Sequence, residues 1–351
     1  MPRRARSPAP KRPSSTPTAD AAPLLCFPGG GTFFWWQLGA ATALFEHYDL
    51  SDVTMSGFSA GALASALSRC SVDPIECHRV AWELAEGAGV FRNPLGLAFK
   101  WGRLVDAWLR ALLPEDAAER CSGVVTIVLT IFSPRPHVAR AASYVTRDEL
   151  ISCLMASTHI PWFMDGGFTR RVHTSGLRGG HGPTTVRAAD GGCLEFFGLE
   201  TPLSLMTHGQ AAGTLNVVLD PLHDSEFMAA CSANGWSMLK PYGTDEFIEY
   251  GRAFVEARAA LGASGELAPL ASRLRPDTAG RKTSRRARSQ TRRDRAEDSR
   301  RRAGSLPSLN CSASGVTMRA YALQAAVRAG LMLAPLLIGS YALYSRESPV
   351  S

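Results

Sequence analysis

The sequence predicts an α/β fold, a three-layer sandwich around a largely parallel central sheet. Three observations predict it. Short apolar runs alternate with segments that carry apolar residues at helical spacing. Glycine-rich turns follow the first two strand candidates. The longest strand candidate, 123–132 (GVVTIVLTIF), is β-branched and continuously apolar, as a strand buried on both faces must be.

In order along the chain, 24–27 is a brief strand stopped by Pro28 and three glycines. Residues 36–47 (WQLGAATALFEH) read as a helix, 52–56 as a second strand and 60–69 (AGALASALSR) as a second helix. Residues 80–113 are mainly helical with an interruption at Pro94, and their Trp82, Phe99, Trp101 and Trp108 are read as core. After the long strand, Thr146 to Glu149 matches a capping box, with Thr146 as N-cap and Glu149 reaching back, so a helix follows to about Ser157. Residues 183–189 and 214–219 are strands, and Thr244 caps a helix running to Leu261.

The flanks differ from this body, which spans 23–262. Residues 1–22 are rich in Pro, Ser, Arg and Ala with no acid before Asp20, too polar to offset ordering entropy, and are expected to be disordered; an organelle transit peptide is the alternative. Between Arg273 and Arg302 there are 13 Lys or Arg against 4 Asp or Glu, so the net charge of +7 belongs to this stretch and the rest is close to neutral. Residues 263–314 are therefore expected to be a solvated basic linker. Ala329–Tyr344 has no charge and forms, within 315–346, an apolar membrane-associating helix; at 1.5 Å per residue it is shorter than the hydrocarbon core of about 30 Å. Together 273–344 are expected to engage a membrane or lipid-droplet surface. No nucleic acid is expected, because no aromatic residue is interleaved with the arginines. Eight cysteines include no CxxC pair, and the chain lacks a secretory signal, so reduced buried thiols and a reducing compartment for the catalytic domain are expected. No cofactor is expected, and no HExxH or similar spacing implies a metal.

The chemistry concentrates at Ser56-Gly57-Phe58-Ser59-Ala60-Gly61, a G-x-S-x-G. A nucleophilic serine on a sharp strand-to-helix turn needs small neighbours, here Gly57 and Gly61, and the following helix directs its positive end at developing negative charge. Strand before and helix after supply that context. Gly29, Gly30 and Gly31 follow the first strand and can present backbone N–H groups as an oxyanion hole. A flexible turn or a phosphate loop is the alternative, although neither G-x-G-x-x-G nor the P-loop lysine occurs.

The blocks CFPGGGTFFWWQLGAATAL, SGFSAG and ASTHIPWF followed by D-G-G resemble those of patatin-like phospholipases over about residues 24–261. That resemblance implies a carboxylic ester hydrolase: a glycine loop stabilises the oxyanion, the elbow serine attacks a lipid acyl ester, and an aspartate in a D-G-G block completes a Ser/Asp dyad. Carried over, these are Gly29 to Gly31 and Ser59. Many members have a glycine where Phe34 stands, and the bulky FFWW run here narrows the mouth or greets an acyl chain.

Two triplets compete for the aspartate. Asp165-Gly166-Gly167 lies four residues after Pro161, whereas Asp190-Gly191-Gly192 ends a strand candidate. A strand end holds a carboxylate more rigidly, so Asp190 is favoured and Asp165 held in reserve; the other is an Asx-turn. Chain order also permits a Ser-His-Asp hydrolase using His208 or His223. Acyl transfer to an alcohol and a catalytically silent membrane-binding protein of the same fold remain as alternatives.

Overall fold

The computed structural model describes residues 23–275, apart from 93–96, 98, 134, 178–181, 183, 209, 211–213 and 239–244. The expected N-terminal tail, the basic stretch beyond 275, the apolar segment 315–346 and the Thr244 cap lie outside the described residues. Among the described residues no helix is long and apolar enough to cross a membrane.

Strands and helices alternate as β1 (Leu24–Phe27), α1 (Phe34–His47), β2 (Thr54–Gly57), α2 (Ala60–Arg69), α3 (Pro74–Gly87), α4 (Trp101–Leu112), α5 (Ala117–Cys121) and β3 (Val125–Ile131). There follow β4 (His137–Ala141), α6 (Arg147–Ser157), β5 (Arg170–Thr174), β6 (Thr184–Ala189), α7 (Cys193–Phe196), α8 (Pro202–Thr207), β7 (Asn216–Val218), α9 (Ser225–Asn234) and α10 (Asp245–Ala259). The sheet order is β5-β6-β3-β2-β1-β7, with β4 on the other edge of β3. Strands β7, β1, β2 and β3 are mutually parallel, and β4, β5 and β6 join antiparallel.

Period-two alternation within buried strands sorts side chains into the two faces. Leu25, Phe27, Met55, Ile127 and Leu129 join the large core under α1, α2, α6 and α10. Leu24, Cys26 and Val128 face the opposite side, where Leu205 and Met206 of α8 cover them. Burying each such side chain contributes about 1.5–3 kcal/mol, which is why these short strands hold without polar alternation. The stripe Phe247, Ile248, Gly251, Phe254 and Val255 repeats at helical spacing and lays α10 on α1. That crossing is unusually close. A Cβ added at Gly251 would stand 1.9 Å from the Trp36 carbonyl oxygen, and one at Gly39 2.1 Å from that of Ile248.

The expected elements fall largely in place, while β4, β5 and α7 to α9 are additional and α3 starts earlier, at Pro74; four further differences stand out. Helix α1 begins two residues early, at Phe34, because a 3-10 turn over Gly31–Phe33 feeds directly into it. The capping box is only half formed: Thr146 Oγ accepts from the Glu149 N–H, but Glu149 turns its carboxylate to the Val145 and Ser175 N–H groups instead of that of Thr146. The linker does not start at 263. Leu267 and Leu270 are buried, the Asp49 N–H donates to the Arg273 carbonyl and the Arg275 N–H to that of His47, so the packed chain continues to 275. Trp82 and Phe99, read as core, are 39% and 56% exposed: Trp82 lines an open cavity, and Phe99 lies in the turn before α4. The seven described cysteines are free and buried.

Replacing Gly251 with Ala is expected to lower stability by about 1–3 kcal/mol despite alanine's helix propensity, because the helices must move apart; urea unfolding of the full chain measures it.

Candidate active site

Ser59 takes φ 53° and ψ −129°, a conformation that costs a side-chain-bearing residue of order 1–3 kcal/mol and persists only when its surroundings enforce it. The enforcement is visible. A Cβ at Gly57 would lie 2.6 Å from the Gly61 carbonyl oxygen, and one at Gly61 2.0 Å from that of Phe27. The turn between β2 and α2 is therefore pressed against the end of β1, and only glycine fits on either side of Phe58-Ser59-Ala60. Ser59 is the N-cap of α2, a helix buried from Ala60 to Ser68, so it sits at that helix's positive end.

Strand register brings the second element in. β4 occupies one edge of β3 from Ile127 to Ile131. The other edge is shared: β2 runs up it to place Gly57 opposite Ile127, and β6 runs down it to place Ala189 opposite Thr130. The two strands head toward each other and both turn away beside Val128. Ser59 leaves one strand end and Asp190 the other. Their backbones share an acceptor, for the Ser157 carbonyl takes both the Ser59 N–H (3.1 Å) and the Gly191 N–H (3.2 Å). The Ser157 hydroxyl donates to the Val128 carbonyl at 2.7 Å and accepts from the Ser59 N–H at 3.0 Å. The Asp190 N–H donates to the His159 carbonyl.

The two aspartates thus occupy different settings, although each accepts from the N–H two residues on, Asp165 from Gly167 and Asp190 from Gly192. Asp190 is 8% exposed, and its glycines are closed over the elbow: Cβ atoms at Gly191 and Gly192 would meet the Phe58 side chain at 2.6 and 2.9 Å. The Asp165 side chain is 44% exposed and its Gly166, at φ 83° with nothing within 4 Å, is a surface turn. His208 and His223 are exposed, and neither lines the cavity that opens at Ser59.

The glycine loop lies on the third side. A Cβ at Gly29 would touch Phe58 at 2.8 Å and stand 3.3 Å from the Ser59 Cβ. Among the described residues the backbone N–H groups of Gly29, Gly30 and Gly31 have no acceptor, and neither has that of Ala60 at the first position of α2. Gly31, at φ 56°, passes so close to the Met238 carbonyl that a Cβ would stand 2.2 Å from it, while the Thr32 N–H and hydroxyl bond to Met238 and Ser237. The loop is thereby fixed from outside while its donors stay open.

A cavity of about 140 Å³ reaches Ser59 and runs between α1, α3 and α4. Phe34, Trp35, Trp82, Phe91, Trp101 and Trp108 make its wall mostly apolar. Trp35 and Trp108 meet edge to face at 6.0 Å, and Trp82 lies over Phe91 at 4.4 Å. His78 is the titratable wall residue; burial lowers its proton affinity below the usual imidazole range and keeps the wall uncharged at neutral pH.

Several of these roles escaped the sequence. Ser157 sits in the ASTHIPWF block with no sign of what its hydroxyl holds. The aromatics at 82, 101 and 108 carry helical spacing that fits a core equally well. The Ala60 donor is a backbone group, and its place after the elbow serine was the signal that could have found it.

The fold and site thus define a class: a mixed α/β sandwich with a serine on a strained strand-to-helix turn, a glycine loop with open amides beside it, and an apolar cavity that reaches the serine. The patatin-like phospholipase profile matches residues 25–203, about half of the chain, and the protein belongs to that family. The chain is also similar to the omega-hydroxyceramide transacylase of Mus musculus, at 29% identity over 170 residues, covering 43% of this chain. It spans only 28% of the length of that relative.

Ser157→Ala is expected to keep the fold but lower kcat about tenfold or more, since the elbow loses its hydroxyl brace; steady-state rates beside a thermal melt test this. Protonation of His78 puts charge in the cavity. Since its titration is shifted downward, KM for a long-chain ester is expected to rise below about pH 6.5, a rise that His78→Phe removes.

Proposed function

We propose that this protein hydrolyses acyl esters of phospholipids, galactolipids or acylglycerols through an acyl-Ser59 intermediate, with Asp190 as its partner. The observation that carries the reading is the convergence of β2 and β6 beside Val128, which supports a Ser59–Asp190 dyad over one using Asp165.

In the first half-reaction the Ser59 Oγ attacks the ester carbonyl while its proton passes to the Asp190 carboxylate. The carbonyl oxygen becomes an oxyanion and takes hydrogen bonds from amides of Gly29 to Gly31, with Ala60 a further donor. The C–O bond to the leaving alcohol then breaks, and Asp190 returns the proton to that alcohol. In the second half, Asp190 takes a proton from water, the hydroxide displaces Ser59 from the acyl carbon, and Ser59 recovers its proton as the fatty acid leaves. The aromatic cavity suits the acyl chain, because an apolar chain leaving water for such a wall gains about 0.8 kcal/mol per methylene.

A second reading replaces water by an alcohol acceptor and is favoured by the similarity to a transacylase. The intermediate and the residues are the same; only the nucleophile in the second half differs. Association with a lipid surface through 273–344, with the catalytic domain in a reducing compartment, is part of the same proposal. It draws on the basic and apolar composition of that stretch.

Ser59→Ala and Asp190→Asn are each expected to lower the release of fatty acid by at least ~10³-fold, and Asp165→Asn to change it less than about threefold. Liquid chromatography of products from mixed lipid vesicles, with and without a long-chain alcohol, checks this and separates hydrolysis from transfer. Loss with Asp165→Asn but not Asp190→Asn would reassign the dyad. Rates for Ser59→Ala equal to those of the unaltered chain would make the protein a silent lipid-binding relative.

A further inference from the structure

Gln37 is fully buried on α1, in a helix whose buried residues are otherwise apolar or glycine. Its side-chain amide donates twice, to the Pro28 carbonyl at 2.8 Å and to the Leu219 carbonyl at 3.2 Å. Its own carbonyl oxygen has no hydrogen-bond partner among the described residues. A buried amide oxygen without a donor is costly, and an apolar side chain of the same volume would avoid that cost. The side chain is therefore being used for its two N–H donors.

Those donors close two strand ends at once. Pro28 follows β1 and begins the glycine loop, and Leu219 follows β7, the neighbouring parallel strand. The peptide between Pro28 and Gly29 is planar, and in the trans form its C=O and N–H point in opposite directions. Holding the Pro28 oxygen toward α1 thus turns the Gly29 N–H away from α1. Gly29 stands against Phe58 and Ser59, and its N–H has no protein acceptor among the described residues. We propose that Gln37 is a positioning residue: through Pro28 it fixes the direction of the Gly29 N–H, so that this donor meets the oxyanion formed at Ser59. Gln37 touches no substrate and acts only through the loop. The inference rests on the acyl-Ser59 reading.

Gln37→Met keeps volume and removes both donors, and Gln37→Glu keeps shape and, when protonated, restores one donor. Both are made in the full chain and assayed on a water-soluble short-chain ester, with labelling of Ser59 by an alkyl phosphonate measured alongside. Gln37→Met is expected to lower kcat about 10- to 100-fold, with KM within about threefold, and to slow phosphonylation by the same factor. Gln37→Glu should lie between the two at acidic pH and fall toward the Met variant as pH rises, because the ionised carboxylate donates nothing. An unchanged kcat in Gln37→Met overturns the proposal. So does a loss that only matches the fraction of unfolded protein seen by circular dichroism. Where Ser59→Ala keeps full activity and no phosphonate attaches at Ser59, the acyl-serine reading itself fails; loss in Ser59→Ala with normal Gln37→Met removes the positioning role alone.

Discussion

The start of α2 presses against the end of β1 so closely that residue 61 has no room for a side chain, and the rest of the site follows from that contact. With Gly61 against the Phe27 and Pro28 carbonyls, the turn before it must be tight, and Ser59 is held at positive φ. The same contact sets the glycine loop beside the elbow, since Pro28 is its first residue. The Ser59 hydroxyl and a row of amide donors are thereby mounted on one rigid junction between two parallel strands. For the proposed acyl-Ser59 chemistry, donors fixed in this way would need no reorganisation at the moment of reaction.

The junction is braced from three sides by different chemistries. Phe58 fills the space under the Gly29, Gly191 and Gly192 backbones, so one side chain spaces the glycine loop from the Asp190 turn. Ser157 braces by hydrogen bonding, tying the Ser59 and Gly191 amides to the middle of β3. Gln37 braces from α1, where the close glycine-mediated crossing with α10 keeps that helix in place. In the proposed function the aromatic wall of the cavity holds an acyl chain by apolar area, and the junction places the carbonyl.

Much of this was legible in the residues. The strand–glycine–helix sequence at 53–61 has few other uses, and GGG after a short apolar run offers bare amides because no side chain covers them. The choice between the two D-G-G triplets was only partly legible. Both aspartates form the same local turn, so local pattern cannot separate them. Rigidity at a strand end favours Asp190 over Asp165, and the family resemblance pairs it with Ser59, but neither shows that β2 and β6 converge on one edge of β3. Of the aromatics read as core, Trp108 is buried in it and Trp101 packs against it, whereas Trp82 faces the cavity, because a helical stripe facing a cavity and one facing a core have the same spacing.

What the sequence determined by itself is the set of local conformations: which segments are strands and helices, where the chain must turn, and which serine sits on a turn that strains it. Those depend on φ/ψ preferences and periodicity within a few residues. Only the tertiary structure decided that β6 returns antiparallel along the edge β2 leaves free, so that residues 59 and 190, far apart in the chain, end beside the same carbonyl-bearing strand. Register between distant strands is fixed by how two buried faces fill one core, and no short stretch of sequence contains that information.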